Sequence, residues 1–568
     1  MNDYAKTGLF VAVAGLLALM ATFSGPKAIR QEQFKDEGEL VFPEFTDTGA
    51  AAELEITEFR EATSAVGKFS VKTDDKRRWI IPSHDGYPAD ANQRMAQVAT
   101  MMIGMKKDRV VSDRKDDYAQ FEVIDPLDGA TAETKGRGRR VQIKDKSGNV
   151  VADLIIGKPV DGKTGVFYVR KPDARRVYSA KFDNQVSAKF SDWIETDLLK
   201  AQAADMSEVL FDNYKVDEQQ GSLTPGEKFL AKKDAASKWN LEGTKDNEQA
   251  NEEKLNEITR SLGEIKIVGV RRKPDGITAA LKQATGFDRM ALAQTLREKG
   301  YYLTREGTLV SNEGDLVLRT NKGVVYTLRF GEVAPGEGEA LSSGKDEARP
   351  GQSAEKPASS SNHRFLMVNV EFDPAQISPP AGMRMSDEEQ RKRADARMAI
   401  TVMTRAVGEW QAAHDKQLPA SLAAMAEKPP TGEPLLKELK KDPWEQDYLY
   451  EPAGESFVIR SRGVDMLDGG EGLNTDIRSD QFTKEDDFRR FADEWKTHDK
   501  KIEDGKKEVE TLSKRFSSWY YVISAELFNK LKPQRKDLVK AKEKPPEEPK
   551  APVQVIPVGG EVPKEPVK

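Results

Sequence analysis

The sequence predicts an α+β fold with an N-terminal transmembrane helix, two related helix-plus-antiparallel-sheet repeats and a small α+β module. Three observations lead to this prediction: an uncharged apolar segment at residues 8–23, a strand–helix–strand pattern that occurs twice, and a glycine-rich loop at residues 463–477. The chain has 568 residues, which is more than one hydrophobic core usually serves, so we expect three or four domains.

The charges of the chain nearly cancel, because 89 Lys and Arg residues face 95 Asp and Glu residues, for a net charge of -6. A protein that binds nucleic acid usually has a basic excess, and we therefore expect no nucleic-acid partner. Cysteine is absent, which excludes disulfides, thiolate catalysis and zinc–thiolate sites and leaves the redox compartment open.

Residues 1–24 are predicted to form a membrane anchor. The segment 8–23 (GLFVAVAGLLALMATF) carries no charge, and as a helix it spans roughly 24 Å, slightly less than a hydrocarbon core of ~30 Å. A cleaved signal peptide is the alternative, although residues 22–24 (TFS) make a poor cleavage site. An uncleaved single-pass anchor leaves the rest of the chain on one side of the membrane, after a polar stalk at residues 25–60. The charges that flank the segment do not decide which side this is, and we expect the bulk of the chain to be extracytoplasmic, in the periplasm.

Two α+β repeats are predicted, at residues 61–205 and 206–330. In each, a tryptophan in a short strand (Trp79, Trp239) is followed by a helical stretch and then by a glycine 25 or 24 positions later. A strand follows that glycine in both cases, so each repeat is expected to place one helix against an antiparallel meander.

A second similarity extends the repeat pattern. Residues 153–156 (DLII) and 165–170 (GVFYVR) are echoed by residues 315–318 (DLVL) and 323–328 (GVVYTL). The offset stays close to 160 residues throughout. Chance similarity between two meanders is the alternative explanation.

The remainder of the chain alternates between ordered and disordered segments. The expected divisions are a disordered loop at 331–363, a strand returning to the second repeat at 364–380, a module at 385–480, a C-terminal helix and apolar segment at 483–540, and a disordered tail at 541–568. The loop is rich in Gly, Ser, Pro and Glu. In the segments on either side of it, apolar and polar residues alternate, as in strands. It can therefore join two paired strands instead of separating two domains.

The sequence contains no familiar catalytic motif. The four histidines, His84, His363, His414 and His498, show no spacing typical of metal ligands, and we expect each to be a solvated surface residue. No stretch resembles a serine nucleophile elbow, a dinucleotide fingerprint or a metalloprotease helix. We therefore expect a protein that is not an enzyme.

The loop GVDMLDGGEGLNTDI at residues 463–477 combines glycines with oxygen-bearing side chains. Its candidate ligands are Asp465, Asp468, Glu471, Asn474 and Asp476. Calcium favours such oxygen donors on a chain that can bend tightly. An EF-hand is excluded, because an apolar residue and a glycine stand two and four positions after the first aspartate. The residues alone leave calcium binding and a solvated turn equally open.

Residues 387–480 resemble the globular domain of the major pseudopilin of type II secretion systems. The matching motifs include RADAR at 393–397, KKDPW at 440–444 and GGEGLNTDI at 469–477. In that family the last loop binds calcium, so the resemblance implies a structural calcium held by the side chains of Asp465, Asn474 and Asp476.

Backbone carbonyls near Arg462 would complete this implied calcium shell. The sequence departs from the family at residues 466–467 (ML), where a glycine and a polar residue are usual. No apolar helix directly precedes the module, since residues 379–385 read PPAGMRM. Polymerisation as a pilus subunit is therefore not expected.

Residues 60–330 resemble the family called domain of unknown function 4340. The matching motifs are WIIP at 79–82, YPAD at 87–90, DP at 125–126, LIIG at 154–157, FYVR at 167–170, VY at 177–178, DW at 192–193 and DLL at 197–199. Members of that family are membrane-anchored and are often encoded beside gliding-motility-type ABC transporters, with no established catalytic role.

Taken together, these features predict a membrane-anchored, extracytoplasmic accessory or scaffold protein that is not an enzyme. Its expected partners are envelope membrane proteins, in particular an ABC-type transporter complex. One alternative is a component that docks on a type II secretion pseudopilus. Another is a metal-dependent hydrolase, which the histidine-free, all-oxygen character of the loop disfavours.

Overall fold

The computed structural model describes residues 3–24, 36–61, 64–129, 133–217, 222–274, 287–304, 306–336, 338–344, 363–430 and 432–542. Its helices are α1 (Asp3–Ser24), α2 (Asn92–Gly104), α3 (Tyr118–Phe121), α4 (Glu252–Gly263), α5 (Phe287–Arg297), α6 (Gly338–Ser343), α7 (Asp387–Ala413), α8 (Phe482–Ser517), α9 (Ala525–Leu531) and α10 (Arg535–Leu538).

The strands are β1 (Glu53–Arg60), β2 (Ala65–Thr73), β3 (Trp79–Ile81), β4 (Tyr87–Pro88), β5 (Arg109–Ser112), β6 (Arg139–Lys144), β7 (Val150–Pro159), β8 (Val166–Arg170), β9 (Val177–Lys181), β10 (Met206–Asp212), β11 (Lys215–Asp217), β12 (Ser222–Thr224), β13 (Lys228–Lys233), β14 (Trp239–Leu241), β15 (Glu248–Ala250), β16 (Ile267–Arg272), β17 (Tyr301–Leu303), β18 (Leu309–Ser311), β19 (Asp315–Thr320), β20 (Val324–Val333), β21 (Arg364–Phe372), β22 (Leu449–Ala453), β23 (Ser456–Ser461), β24 (Ile477–Arg478), β25 (Trp519–Ile523) and β26 (Val539–Ala541). Helices and antiparallel sheets are mixed, as the predicted α+β class requires.

Nine strands form the first sheet, in the order β4-β3-β2-β1-β6-β7-β8-β9-β5. Strand β1 is the fourth of these nine. Its Leu54 and Ile56 are fully buried, and Phe42 and Phe45 belong to the same core. The predicted stalk at residues 25–60 is therefore wrong for the described part of that range, because its apolar side chains belong to the hydrophobic core of the first sheet.

Eight strands form the second sheet, in the order β14-β13-β10-β19-β20-β21-β25-β16. Taken in this sheet order, the eight strands occupy the same places as β3, β2, β1, β6, β7, β8, β9 and β5 of the first sheet. Trp79 begins β3 and Trp239 begins β14. The indole Nε1 of each donates to an asparagine of the helix that follows, Asn92 at 2.7 Å and Asn256 at 3.1 Å.

The repeat layout predicted from a constant offset is not confirmed. Residues 153–156 lie in β7, whereas residues 315–318 lie in β19, which occupies the place of β6. The segment before β19 (273–314) is longer than the segment before β6 (113–138), so the offset changes at that point. Strands in which apolar and polar residues alternate resemble one another over short stretches. The similar sequence patterns therefore match two strands that do not occupy equivalent places in the two sheets.

The second sheet continues beyond residue 330. Strand β20 extends to Val333 and pairs with β21, so the first residues of the predicted disordered loop 331–363 are a strand. Helix α6 also lies inside that range, while residues 345–362 lie outside the described residues. Strand β25 lies between β21 and β16. The module and α8 are thus inserted between two neighbouring strands of this sheet.

One hydrophobic core runs through both sheets, and His84 lies within it. The ring stacks on Phe190 with centroids 4.3 Å apart, and Nε2 lies 3.0 Å from Ser342 Oγ. Only 2% of His84 is exposed, so the prediction of a solvated histidine is wrong here. It is also wrong for His498, whose ring lies edge-on to a tryptophan, because both burials depend on contacts made by the tertiary fold.

Helix α1 comprises the apolar N-terminal segment, and its described side chains at residues 7–20 are exposed. In the described parts of the chain, no helix has the length and apolar character that crossing a membrane requires. The transmembrane helix predicted at residues 1–24 is therefore not supported.

Candidate functional site

The module has its own hydrophobic core, separate from that of the two sheets. Helix α7 begins at a well-capped end, because the Ser386 hydroxyl accepts from the Glu389 N–H at 3.1 Å and three acidic residues fill the first turn. Its apolar face packs on the three-stranded sheet β22-β23-β24, with Ile400, Ile459 and Ile477 fully buried between them. This core fixes the ends of β23 and β24, which carry the glycine-rich loop.

The second half of the glycine-rich loop is closed by two hydrogen bonds between Gly469 and Asp476, one to a backbone carbonyl and one to a side chain. The Asp476 N–H donates to the Gly469 carbonyl, and the Gly469 N–H donates to Asp476 Oδ1, both at 3.1 Å. Gly470 has a φ of 90°, and a Cβ there would lie 2.3 Å from the Asn474 carbonyl oxygen. A side chain would therefore open the loop, so this glycine is required by its shape.

Arg460 of β23 binds three carboxylates at the base of the loop. Its guanidinium donates to Glu451, Asp468 and Asp476, each at 2.7 Å. Asp476 is the buried member, with 5% of its side chain exposed. Hydrogen bonds from Arg462 and Arg460 lower the pKa of the exposed Asp468 to about 2. The loop is thus braced by charge-assisted hydrogen bonds between arginines and aspartates.

The predicted calcium ligands are distributed over two 3₁₀ turns and the residue that directly precedes β24. Asp465 and Asn474 end the two turns, and both carboxylate oxygens of Asp476 accept hydrogen bonds, one from a backbone N–H and one from Arg460. Among the described residues, no group of three or more His, Cys, Asp or Glu side chains is placed to hold a metal ion.

The oxygen-only donor set of this loop suits calcium chemically. However, a guanidinium stands beside Asp476 where a cation would bind. The calcium site at Asp465, Asn474 and Asp476, with carbonyls near Arg462, therefore stays a prediction.

The tip of the loop exposes apolar side chains. Val464, Met466 and Leu467 are all exposed, and Met466 has a left-handed φ of 60°. This conformation favours glycine over methionine. The departure noted from the sequence at residues 466–467 therefore places a strained, apolar residue on the surface.

Arg393 on α7 connects the loop to α8. Its guanidinium donates to Glu485 of α8 at 2.5 and 3.1 Å. It also donates to the carbonyls of Leu473 and Thr475 in the loop, at 2.9 and 3.0 Å. Only 3% of the Arg393 side chain is exposed. One buried arginine thus fixes the loop against two helices.

Sequence reasoning missed this role of Arg393. A signal was present, because Arg393 stands three and seven positions before the buried Ala396 and Ile400, a spacing that puts it on the inward face of α7. Its partner was not foreseeable, since Glu485 is 92 positions away in the chain.

The residues that lead into the module are also fixed to α8. Trp495 Nε1 donates to the Gly382 carbonyl at 2.8 Å. A Cβ at Gly382 would lie 2.2 Å from the Phe491 ring, so only glycine allows this approach. Arg384 forms an ion pair with Asp499 at 2.7 Å. Both ends of the module are therefore held by the same helix.

Helix α8 continues from the module to the second sheet. It has 36 residues and a length of roughly 54 Å at 1.5 Å per residue. In the second half of the helix, a Cβ at Gly505 would lie 2.4 Å from the Lys322 carbonyl oxygen, so the helix backbone lies directly on the sheet. The module is thus attached to the second sheet, which with the first sheet forms the body of the protein, through a single continuous helix.

Two family models match separate parts of the chain. Residues 79–289 match "Domain of unknown function (DUF4340)", and residues 384–480 match "Type II secretion system (T2SS), protein G". Both resemblances stated from the sequence are confirmed. No curated protein matches the chain. The chain therefore joins a DUF4340-like segment to a module similar to protein G of type II secretion systems, and this module contains the entire glycine-rich loop.

Proposed function

We propose that this protein is a non-enzymatic accessory or scaffold protein of the cell envelope that presents its module to a membrane-protein complex. The observation that carries the proposal is the mounting of the module on α8. Buried and partly buried contacts at the start of the module hold it to that helix, and α8 lies directly on the second sheet. Such a mounting suits a protein that holds a binding surface at a fixed position.

Similarity of the module to protein G of type II secretion systems supports a secretion-related or envelope location. The finer proposal is that α1 attaches the protein to a membrane. Its support is the row of exposed apolar side chains that includes Leu9, Phe10 and Leu16. Carbonate extraction of membranes checks this proposal, since an attached protein stays in the pellet.

An ABC-type transporter complex is the proposed partner, because the DUF4340-like segment resembles a family that is often encoded beside such transporters. The competing proposal is docking on a type II secretion pseudopilus, which the module's own similarity supports. Transporter genes beside the gene for this protein favour the first proposal, and secretion genes favour the second.

Affinity purification of the tagged full-length chain from cross-linked native membranes tests the partner directly. Recovery of transporter subunits is the expected result, whereas recovery of secretion components supports the alternative. Finding the tagged chain in the soluble fraction instead of the membranes, with neither kind of component bound, overturns both.

A structural calcium ion in the loop remains a second proposal, supported by the oxygen donors of Asp465, Asn474 and Asp476. Calcium would have to displace Arg460 from Asp476. The proposal that the protein is not an enzyme draws on the same ion pairs, because arginines neutralise the loop carboxylates that a hydrolase would use.

A further inference from the structure

An open groove runs between α7 and α8 on the side of the module away from its core. Its volume is about 1290 Å³. A cylinder ~10 Å across, the width of an α-helix, fills that volume over a length of roughly 16 Å, or about three helical turns. The volume of the groove is thus comparable with that of a short helical segment.

Apolar side chains line the groove without joining the core of the module. Met398 and Val402, one turn apart on α7, are 65% and 50% exposed. Phe488 and Trp495 of α8, which are half-buried, lie in the same groove. Two apolar residues at i and i+4 form a stripe that an amphipathic helix can cover.

The charge of the groove is opposite to that of the whole chain. Seven basic and four acidic side chains line it, although the chain carries a net charge of -6. Arg391, Arg405 and Lys496 face the groove, and none of them forms an ion pair with a residue that the structure describes. Unpaired basic groups around an apolar stripe favour an occupant with acidic flanks.

We propose that this groove binds an amphipathic helix of a partner protein, with apolar residues on one face and acidic residues on either side of that face. The inference rests on the proposed scaffold function and names the chemistry of the partner that the module holds. The apolar face covers Met398 and Val402, and the acidic flanks pair with Arg391, Arg405 and Lys496.

A designed peptide provides the probe. The test peptide has 15 residues with Leu at positions 1, 4, 8 and 11, Glu on the flanks and Ala elsewhere, and the control peptide has Lys in place of every Glu. Fluorescence anisotropy of each labelled peptide is measured against the full-length protein. We expect the Glu peptide to bind at least tenfold more tightly than the Lys peptide, and added salt to weaken its binding.

Variants locate the binding. Met398→Asp is expected to weaken the Glu peptide at least tenfold, and Arg405→Glu severalfold. The matched controls are Met290→Asp, at an exposed methionine of α5, and Arg114→Glu, at an exposed arginine of the first sheet's loops. Both controls should leave the affinity unchanged, since neither residue lies in the groove.

Several results would overturn the proposal. Equal affinity for both peptides would show that charge does not select the occupant. An equal loss of peptide affinity in the groove variants and the control variants would show that the peptide does not bind in the groove. Binding to phosphatidylglycerol vesicles but not to the Glu peptide assigns the groove to a lipid surface. Self-association that Met398→Asp abolishes assigns it to a second copy of the chain. If the peptide fails while transporter or secretion components still co-purify, only this inference falls.

Discussion

Arg393 of α7 and Glu485 of α8 form a buried ion pair, with Nη2 and Oε1 2.5 Å apart and 3% and 6% of the two side chains exposed. The pair joins the helix that begins the module to the helix that follows it. The remaining donors of Arg393 reach the loop carbonyls. Replacing Arg393 therefore affects both the loop and the attachment of the module to α8.

Removing one member of this pair leaves the other charge buried and unpaired. Arg393→Met and Glu485→Gln should each lower the free energy of unfolding of the module by about 3–5 kcal/mol. The double variant should lose less than the sum of the two. Arg397→Met is the control, because the ion pair of Arg397 with Asp486 is partly exposed and should contribute below about 1 kcal/mol. Denaturant titration measures all four, and single losses as small as the control's would contradict the assigned role.

Calcium and Arg460 compete for Asp476 if the loop binds calcium. Calcium should then raise the melting temperature of the protein and a chelator should lower it, with about 2.7 kcal/mol of stabilisation at a hundredfold excess over Kd. Arg460→Gln should lower the melting temperature in chelator and increase the affinity for calcium, because it removes the competing cation.

Asp476→Ala should abolish the response to calcium, whereas Asp468→Ala should matter less. Melting curves that neither calcium nor chelator shifts, in the wild type and in Arg460→Gln alike, would leave the loop braced by arginine alone.

Lys273 makes stability depend on pH. Its ammonium is buried, donates to the Phe516 carbonyl at 3.0 Å and lies 5.4 Å from the Tyr520 ring centre. Burial, followed by the charge of Arg329, lowers the pKa of Lys273 to about 7, below the usual value of 10.5 that applies in the unfolded chain. Between these two values the unfolded state binds one more proton, so the free energy of unfolding rises with pH above about 7.

The expected gain between pH 7 and pH 9 is on the order of 2 kcal/mol. Lys273→Met should flatten this rise, and Lys507→Met, at an exposed position on α8, should not. Urea titrations at several pH values provide the measurement. A rise that survives in Lys273→Met would assign the pH dependence to other groups.

The two tryptophans should differ in their contribution to stability. Trp239 is 3% exposed, whereas Trp79 is only half-buried. Trp239→Ala should therefore cost about 3–5 kcal/mol, and Trp79→Ala clearly less. Trp239→Phe keeps a ring but loses the hydrogen bond to Asn256, for a cost near 1 kcal/mol. Thermal unfolding of the three variants checks this order, and equal losses for the two alanine variants would refute it.

The features that could be predicted from the sequence are those that depend on residues close together in the chain. The helical stretch after each tryptophan, the closed glycine-rich loop and the two family resemblances all rest on local patterns of apolar residues, caps and glycines. The predicted stalk failed because the local sequence of β1 does not indicate whether the strand lies at the edge or in the interior of a sheet.

Contacts between residues that are distant in the chain could not be predicted from the sequence. His84 and Ser342 are 258 positions apart, and nothing in either neighbourhood specifies the other. Arg460 is the one charged residue of β23 and looks like a solvated side chain in the sequence. It nevertheless binds three carboxylates that only the fold brings together. The same limit applies to β25, whose place between β21 and β16 is set by the long helix before it.

The position of β25 has a consequence for how the chain acquires its structure during synthesis. The ribosome completes β21 long before it produces residues 519–523, and at ordinary elongation rates the interval is on the order of ten seconds. During that time the edge of β21 that later pairs with β25 has no strand beside it. Within the same interval the ribosome completes every residue of the module's own core. The inserted module is thus able to form first, and the body of the protein is the last part to close.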